Sequence, residues 1–261
     1  MLAPVNAESP PPARTAAKAT TKTPDRTTDK TTDKAAAKVA PRSPRAARPK
    51  VAVDTVVFAV EGGRLKTYLV QLRRGAVRGR WAFAGGLVRM GEMLDEAAHR
   101  ELFASTGIRQ AYLEQLFTFG DPSRDPRAHV VSVAYMALIA DAQSAAAPGG
   151  KYLDGRWFEV SALPALAYDH QQMAEYALGR LKAKLEYTNI ACNLLPETFT
   201  FAELEALYAM ILKRPIDRRN FRRRILSMGI LRRLPATRRG AHRPAALYSF
   251  ARRDPQVVEM L

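Results

Sequence analysis

At 261 residues the chain is long enough for two modest domains, and its 47% hydrophobic content excludes disorder throughout. One cysteine, Cys192, rules out a disulfide framework within the chain and suits a reducing cytosol; the longest near-apolar run, Val130 to Ala142, is far short of the roughly 20 residues a bilayer span needs, and the N-terminus lacks an apolar signal segment. The formal net charge of +16 divides into +7 in residues 1–50, +1 in residues 51–189 and +8 in residues 190–261, which implies a ligand-handling middle with polyanion-binding appendages in a soluble, cytoplasmic protein.

Residues 1–50, built from Ala, Lys, Thr and Pro, read as a disordered basic tail. A β-branched run, Val51 to Val60, then meets the turn Glu61-Gly62-Gly63 and the alternating segment Lys66 to Arg74, which predicts a hairpin. After a loop with Trp81 and Gly85-Gly86, the spacing of Leu94, Ala97, Ala98 and Leu102 predicts a helix over Glu92 to Ser105, stopped by Gly107. Further strands are expected at Leu113 to Phe119, Val130 to Ile139 and Arg156 to Val160. Together they make an α/β domain over residues 51–168. His170 to Tyr187 reads as a helix with Met173, Tyr176, Ala177, Leu181 and Leu185 on one face, and residues 169–190 as the linker between domains.

Residues 191–261 form a basic module. Thr200 and Glu203 make a capping box and Phe199 with Leu204 a hydrophobic staple, a strong helix start. Pro215 ends that helix, Asp217 is positioned to cap the next, and Gly229 closes it. On a helical wheel Phe221, Ile225 and Met228 point to a core, while Arg219, Asn220, Arg223, Arg224 and Ser227 gather on the other side. Two short strands follow, joined by a basic loop carrying Arg238, Arg239 and Arg243. This is the pattern of a winged helix-turn-helix. Its arginines and Asn220 are suited to base edges in the major groove, and its wing to phosphates, so double-stranded DNA is the expected partner and a membrane is not.

The run from Gly86 to Ile108 resembles the Nudix box: Gly86, Glu92, Arg100, Glu101, Leu102, Gly107 and Ile108 fall on its positions. The resemblance implies an α/β/α sandwich. Where the box carries its paired glutamates, this chain has Ala104 and Ser105, so of the carboxylates that hold divalent ions only Glu101 is left. No metal site and no catalytic residue is therefore expected, and Glu92 with Arg100 is read as a brace between loop and helix.

Over nearly all of residues 51–250 the chain is similar to the Nudix-related transcriptional regulators of the NrtR family. The likeness is carried by Phe117 to Tyr135, Trp157 to His170, the segment around Thr200 and the arginine-rich helix; Ala84 stands where the family commonly has Pro, which implies a less rigid loop entering the box. It implies a homodimeric repressor of genes for NAD biosynthesis or salvage, released from its operator by ADP-ribose or a related metabolite, with no other cofactor. For that effector, Arg89 and Arg127 are the expected cations and Trp81, Phe119 and Tyr135 the expected aromatic faces. Asp169-His170, at a helix start, reads as a cap rather than a site. The rival reading is an active Nudix hydrolase of ADP-ribose or nucleotide sugars with a basic appendage. A non-catalytic RNA-binding Nudix protein is disfavoured by the winged-helix pattern.

Overall fold

A computed structural model describes residues 48–145, 148–239 and 244–258. Apart from residues 48–50, the expected tail lies outside the described residues. Lys50, counted with that expected tail, already pairs with Val130 as the first residue of a strand.

Strands β1 (Lys50–Glu61) and β2 (Arg64–Leu72) form the expected hairpin. Its turn uses Gly62 and Gly63 at φ 60° and 70°, the left-handed pair that matches strand twist. There follow β3 (Trp81–Ala82), β4 (Ala84–Leu87), helix α1 (Leu94–Thr106), β5 (Tyr112–Phe119), β6 (Val130–Leu138), β7 (Tyr152–Glu159) and α2 (His170–Tyr187). The sheet runs β3-β2-β1-β6-β5, with β1 and β6 parallel and their other pairings antiparallel; β7 pairs with β2. Strands β1 and β6 are covered on both faces, which is why they read as continuous apolar runs. Val56, Phe58 and Met136 face α2, while Val53, Val133 and Tyr135 face α1. The result is the α/β/α sandwich.

Along one edge β1 changes partner. Its N-terminal half pairs with β4 (Ala52 with Leu87 through Thr55 with Ala84), its C-terminal half with β2 (Phe58 with Thr67 onward). The sheet therefore forks, and residues of both prongs line one cavity. Ala84, expected in a loosened loop, is instead a buried member of β4 held by its pairing with Thr55.

Beyond α2 lie β8 (Phe199–Thr200), α3 (Phe201–Leu212), α4 (Arg218–Ser227), β9 (Leu231–Arg238) and β10 (Ala245–Phe250), with sheet order β8-β10-β9. Thr200 and Glu203 form the capping box at α3, and the Asp217 side chain accepts from the Arg219 and Asn220 amides at α4. Gly229 leaves α4 at φ 66°. This is a winged helix. Its wing is shorter in loop and longer in strand than expected, since β9 continues through Arg238; residues 240–243, including Arg243, lie outside the described residues.

Helix α2 buries Met173, Ala177, Leu181 and Leu185, a row at every fourth residue, whereas Tyr176 falls off that row and is 39% exposed against Phe117. The same buried cluster runs from Phe58 and Met136 through α2 to Leu204, Tyr208 and Phe221. Helix α2 is thus a packed element shared by both halves. Its end is fixed by the chain after β10: Asn189, 1% exposed, donates to the Arg252 and Asp254 carbonyls and accepts from the Gln256 amide at 2.6 Å. No helix among the described residues is long and apolar enough to cross a membrane.

Candidate functional site

The forked edge opens into a cavity of about 620 Å³. Asp54 of β1, Phe83 and Gly85 at β3 and β4, the loop from Arg124 to Ala128, Lys151 just before β7 and Tyr152 at its start, and Tyr168 with His170 at the start of α2 form its walls. Lys50, Arg73, Arg74, Arg124, Arg127 and Lys151 line it against the acids Asp54 and Asp125. Such an excess of cations suits an anionic ligand.

Not every cation is available. Arg124, 4% exposed in its side chain, makes a two-pronged pair with Asp169 at 2.8 and 2.6 Å and lies 3.6 Å from Asp54. Asp169 sits at the N-cap position of α2, but its carboxylate serves Arg124 and makes no cap hydrogen bond. His170, fully buried, accepts the Phe83 amide on Nδ1 at 2.9 Å, so its proton belongs on Nε2, which faces Asp54 at 3.7 Å. Burial pushes this imidazole below its ordinary 6.5 and keeps it neutral. These residues form the floor. Arg127, 55% exposed, reaches over it, braced by Asp125 and the Tyr168 hydroxyl at 3.0 Å. Tyr168 holds φ 54°, a left-handed backbone that a bulky side chain rarely adopts, and such strain concentrates at ligand-facing positions.

The box residues form one corner. Arg100 donates to both Glu92 oxygens, to Glu101 and to the Leu87 carbonyl, bracing loop to helix. The Glu92 carboxyl falls to about 2, chiefly through Arg100 and then the Arg89 amide. A Cβ at Gly86 would push the Glu101 carboxylate out of the place in which Arg100 and Lys151 hold it, and Gly107 ends α1 at φ 72°. Glu101, 6% exposed, is bonded by Arg100 on one oxygen and by Lys151 on the other at 2.6 Å. Ser105 is buried and donates to the Glu101 carbonyl at 2.7 Å; Ala104 offers no ligand. Among the described residues no three His, Cys, Asp or Glu side chains converge on a metal position. The donor set does not fit a divalent ion, since the surviving carboxylate is already neutralised by two cations.

On α4, Phe221 and Ile225 are buried and Met228 half-buried, as the wheel predicts. Arg219, Asn220, Arg223 and Ser227 are exposed, and Arg223 donates to the Asn220 side chain at 3.1 Å. Arg222 points elsewhere, over the Phe201 ring at 4.6 Å and to the Tyr248 hydroxyl at 3.1 Å.

Residues 191–250 match the model of the NrtR DNA-binding winged helix domain, and residues 48–177 that of the NUDIX domain. The chain is 34% identical over 209 residues to the ADPR responsive transcriptional repressor NtrR of Acinetobacter baylyi, covering 79% of this chain and 84% of that one. The chain belongs to the NrtR family. The crystal structure of Shewanella oneidensis NrtR complexed with a 27mer DNA is 33% identical, with TM-score 0.69, over 77% of this chain and 93% of that one. An ADP-ribose pyrophosphatase of Methanocaldococcus jannaschii is 30% identical over 125 residues, 48% of this chain and 70% of that protein.

In this NrtR-family chain the five residues expected to hold an effector are not brought together. Arg127 lines the cavity. Tyr135 is 1% exposed beneath α1 and donates to Asp95 at 2.6 Å; Phe119 packs beside Phe117 and Tyr176; Trp81 is held between Phe158 and Arg156; Arg89 is exposed on the box loop. The cavity's aromatic surfaces come instead from Phe83, Tyr152 and Tyr168. In the winged helix, Arg238 is paired with Glu203 at 2.5 Å rather than free on the wing, and Arg239 is exposed.

Proposed function

We propose that this chain is a DNA-binding transcriptional repressor, acting as a homodimer on genes of NAD biosynthesis or salvage, and that ADP-ribose binding in the forked-sheet cavity releases it from its operator. One observation carries the reading: a cation-lined Nudix cavity whose surviving box carboxylate, Glu101, is taken up by Arg100 and Lys151 shares a continuous core, through α2, with a winged helix whose exposed face is rich in arginine. Arg127, Arg73 and Arg74 are suited to the diphosphate, and Tyr168 and Phe83 to flat surfaces. On α4, Arg219, Asn220, Arg223, Arg224 and Ser227 serve the major groove, with Arg239 and Arg243 on the wing toward phosphates. Hydrolysis is not part of this function, because activating water on a divalent ion needs carboxylates that Ala104 and Ser105 do not supply.

The test is an operator titration at fixed salt with and without ADP-ribose. A coupling of roughly 1 to 3 kcal/mol weakens operator binding about 5- to 150-fold at saturation. Calorimetric binding of ADP-ribose with unchanged operator affinity would sink the release mechanism. Turnover of ADP-ribose with Mg²⁺ near typical enzyme rates of ~10 per second would favour the hydrolase to which the pyrophosphatase likeness points.

A further inference from the structure

The corner of the cavity where a divalent ion would be sought is filled by a side chain. The Lys151 ammonium donates to the Gly85 carbonyl at 2.5 Å and to Glu101 Oε2 at 2.6 Å. A buried carboxylate and a backbone carbonyl converging on one point are hard-oxygen donors of the type Mg²⁺ or Ca²⁺ takes, though too few to hold either ion by themselves. Here both point at an ammonium. Several features hold it there. Gly85 and Gly86 allow β4 to lie close over the acids, since a Cβ at Gly85 would meet Asp54 Oδ1 at 2.0 Å. Arg100 occupies the other Glu101 oxygen, and Tyr152, the next residue and the first of β7, also donates to the Gly85 carbonyl, at 3.2 Å. The Lys151 side chain is nonetheless 49% exposed and lines the cavity wall, so its charge is presented to whatever enters.

We propose that Lys151 is a built-in cation standing in the place of the divalent ion: it closes the box corner against metal and meets the phosphate oxygens of the ligand directly, so that a diphosphate binds without any metal. An ammonium attracts those oxygens as a point charge but has no bound water to activate, which couples binding to the loss of hydrolysis. The inference rests on the ADP-ribose reading for its ligand, but its core is the site's independence of metal.

The experiment is calorimetry on the full chain with ADP-ribose, and separately with inorganic pyrophosphate, in EDTA and in Mg²⁺ at matched ionic strength, for wild type, Lys151→Met and Lys151→Arg. Wild type is expected to bind with the same affinity, within about twofold, in both buffers. Lys151→Met is expected to lose about tenfold or more in EDTA, the scale of one charge-assisted contact, with Lys151→Arg regaining part of it. Mn²⁺ binding followed by electron paramagnetic resonance gives an independent readout: none at this corner in wild type, and a weak site in Lys151→Met, where Glu101 is uncovered. The proposal is overturned if Mg²⁺ tightens wild-type binding tenfold, or if Lys151→Met, folded by circular dichroism, binds in EDTA as wild type does. If ADP-ribose fails in both buffers while pyrophosphate binds in a Lys151-dependent way, the effector reading falls and the built-in cation stands. If neither binds, both fall.

Discussion

His170 shows how a residue in the floor of a binding cavity can serve structure first. Its imidazole, stacked on Phe83 with ring centroids 5.5 Å apart, accepts a backbone amide while neutral, and burial holds its proton affinity below the ordinary 6.5. Because the folded state binds that proton less readily than the unfolded chain, the stabilisation is complete above 6.5 and is lost as pH falls below it. Urea midpoints measured from pH 7.5 to 5.5 are therefore expected to decline in wild type and to decline less in His170→Gln, which keeps an acceptor and has no charge to gain. Equal slopes for the two proteins would place the acid sensitivity elsewhere. At this scale the sequence was least legible. Arg127 was recognisable as a cation in a loop, but Arg73, Arg124, Lys151 and Tyr168 lie in four separate connecting segments between residues 73 and 168, and no periodicity joins residues that meet only where a sheet forks. Trp81, Phe119 and Tyr135 lie away from the cavity wall for a related reason. Tyr135 sits in a strand covered on both faces, so its ring went to the core beneath α1.

Elements were far more legible than sites. The β1–β2 hairpin, α1, α2 and the two winged-helix helices announce themselves through Gly62-Gly63, the four-residue row of α2, Thr200 with Glu203, and Asp217, since these signals act within a few residues of the backbone they shape. The short strands β3 and β4 gave no comparable signal. They exist because β2 offers an edge to β3 and β1 one to β4. Helix α4 carries a prediction that a simple count of arginines does not make. Arg223 is exposed beside Asn220, whereas Arg222 lies across the Phe201 ring and bonds Tyr248. Arg223→Ala is expected to cost roughly 1 to 3 kcal/mol of operator binding with little change in stability. Arg222→Ala is expected to lower stability by about 1 kcal/mol, through the lost hydrogen bond and ring contact, while leaving operator affinity within about twofold. Gel-shift titration and urea unfolding of the two variants decide the matter; the reverse pattern would mean that α4 presents its other face to DNA.

At the scale of the whole molecule, α2 was expected as a linker, yet it is packed into both halves: its first residue lines the cavity and its last turn is strapped by the segment after β10. A ligand at Tyr168, Asp169 or His170 therefore acts on the end of a helix whose buried row, Met173 to Leu185, continues into the cluster of Leu204, Tyr208 and Phe221. A shared core of this kind implies that the two halves unfold together. Both tryptophans, Trp81 and Trp157, lie in the Nudix half, so their fluorescence reports that half alone while far-ultraviolet circular dichroism reports both. The two probes are expected to give coincident thermal transitions. ADP-ribose at 100 times its dissociation constant is expected to stabilise the folded chain by about 2.7 kcal/mol, moving the common midpoint upward by about 5 to 10 °C at fixed protein concentration. Two separated transitions, with ligand shifting the fluorescence change but not the remaining dichroism, would mean that the halves are energetically independent. In that case α2 cannot be the element through which an occupied cavity alters the grip of α4 on DNA, because a ligand shifts an equilibrium only between states it distinguishes.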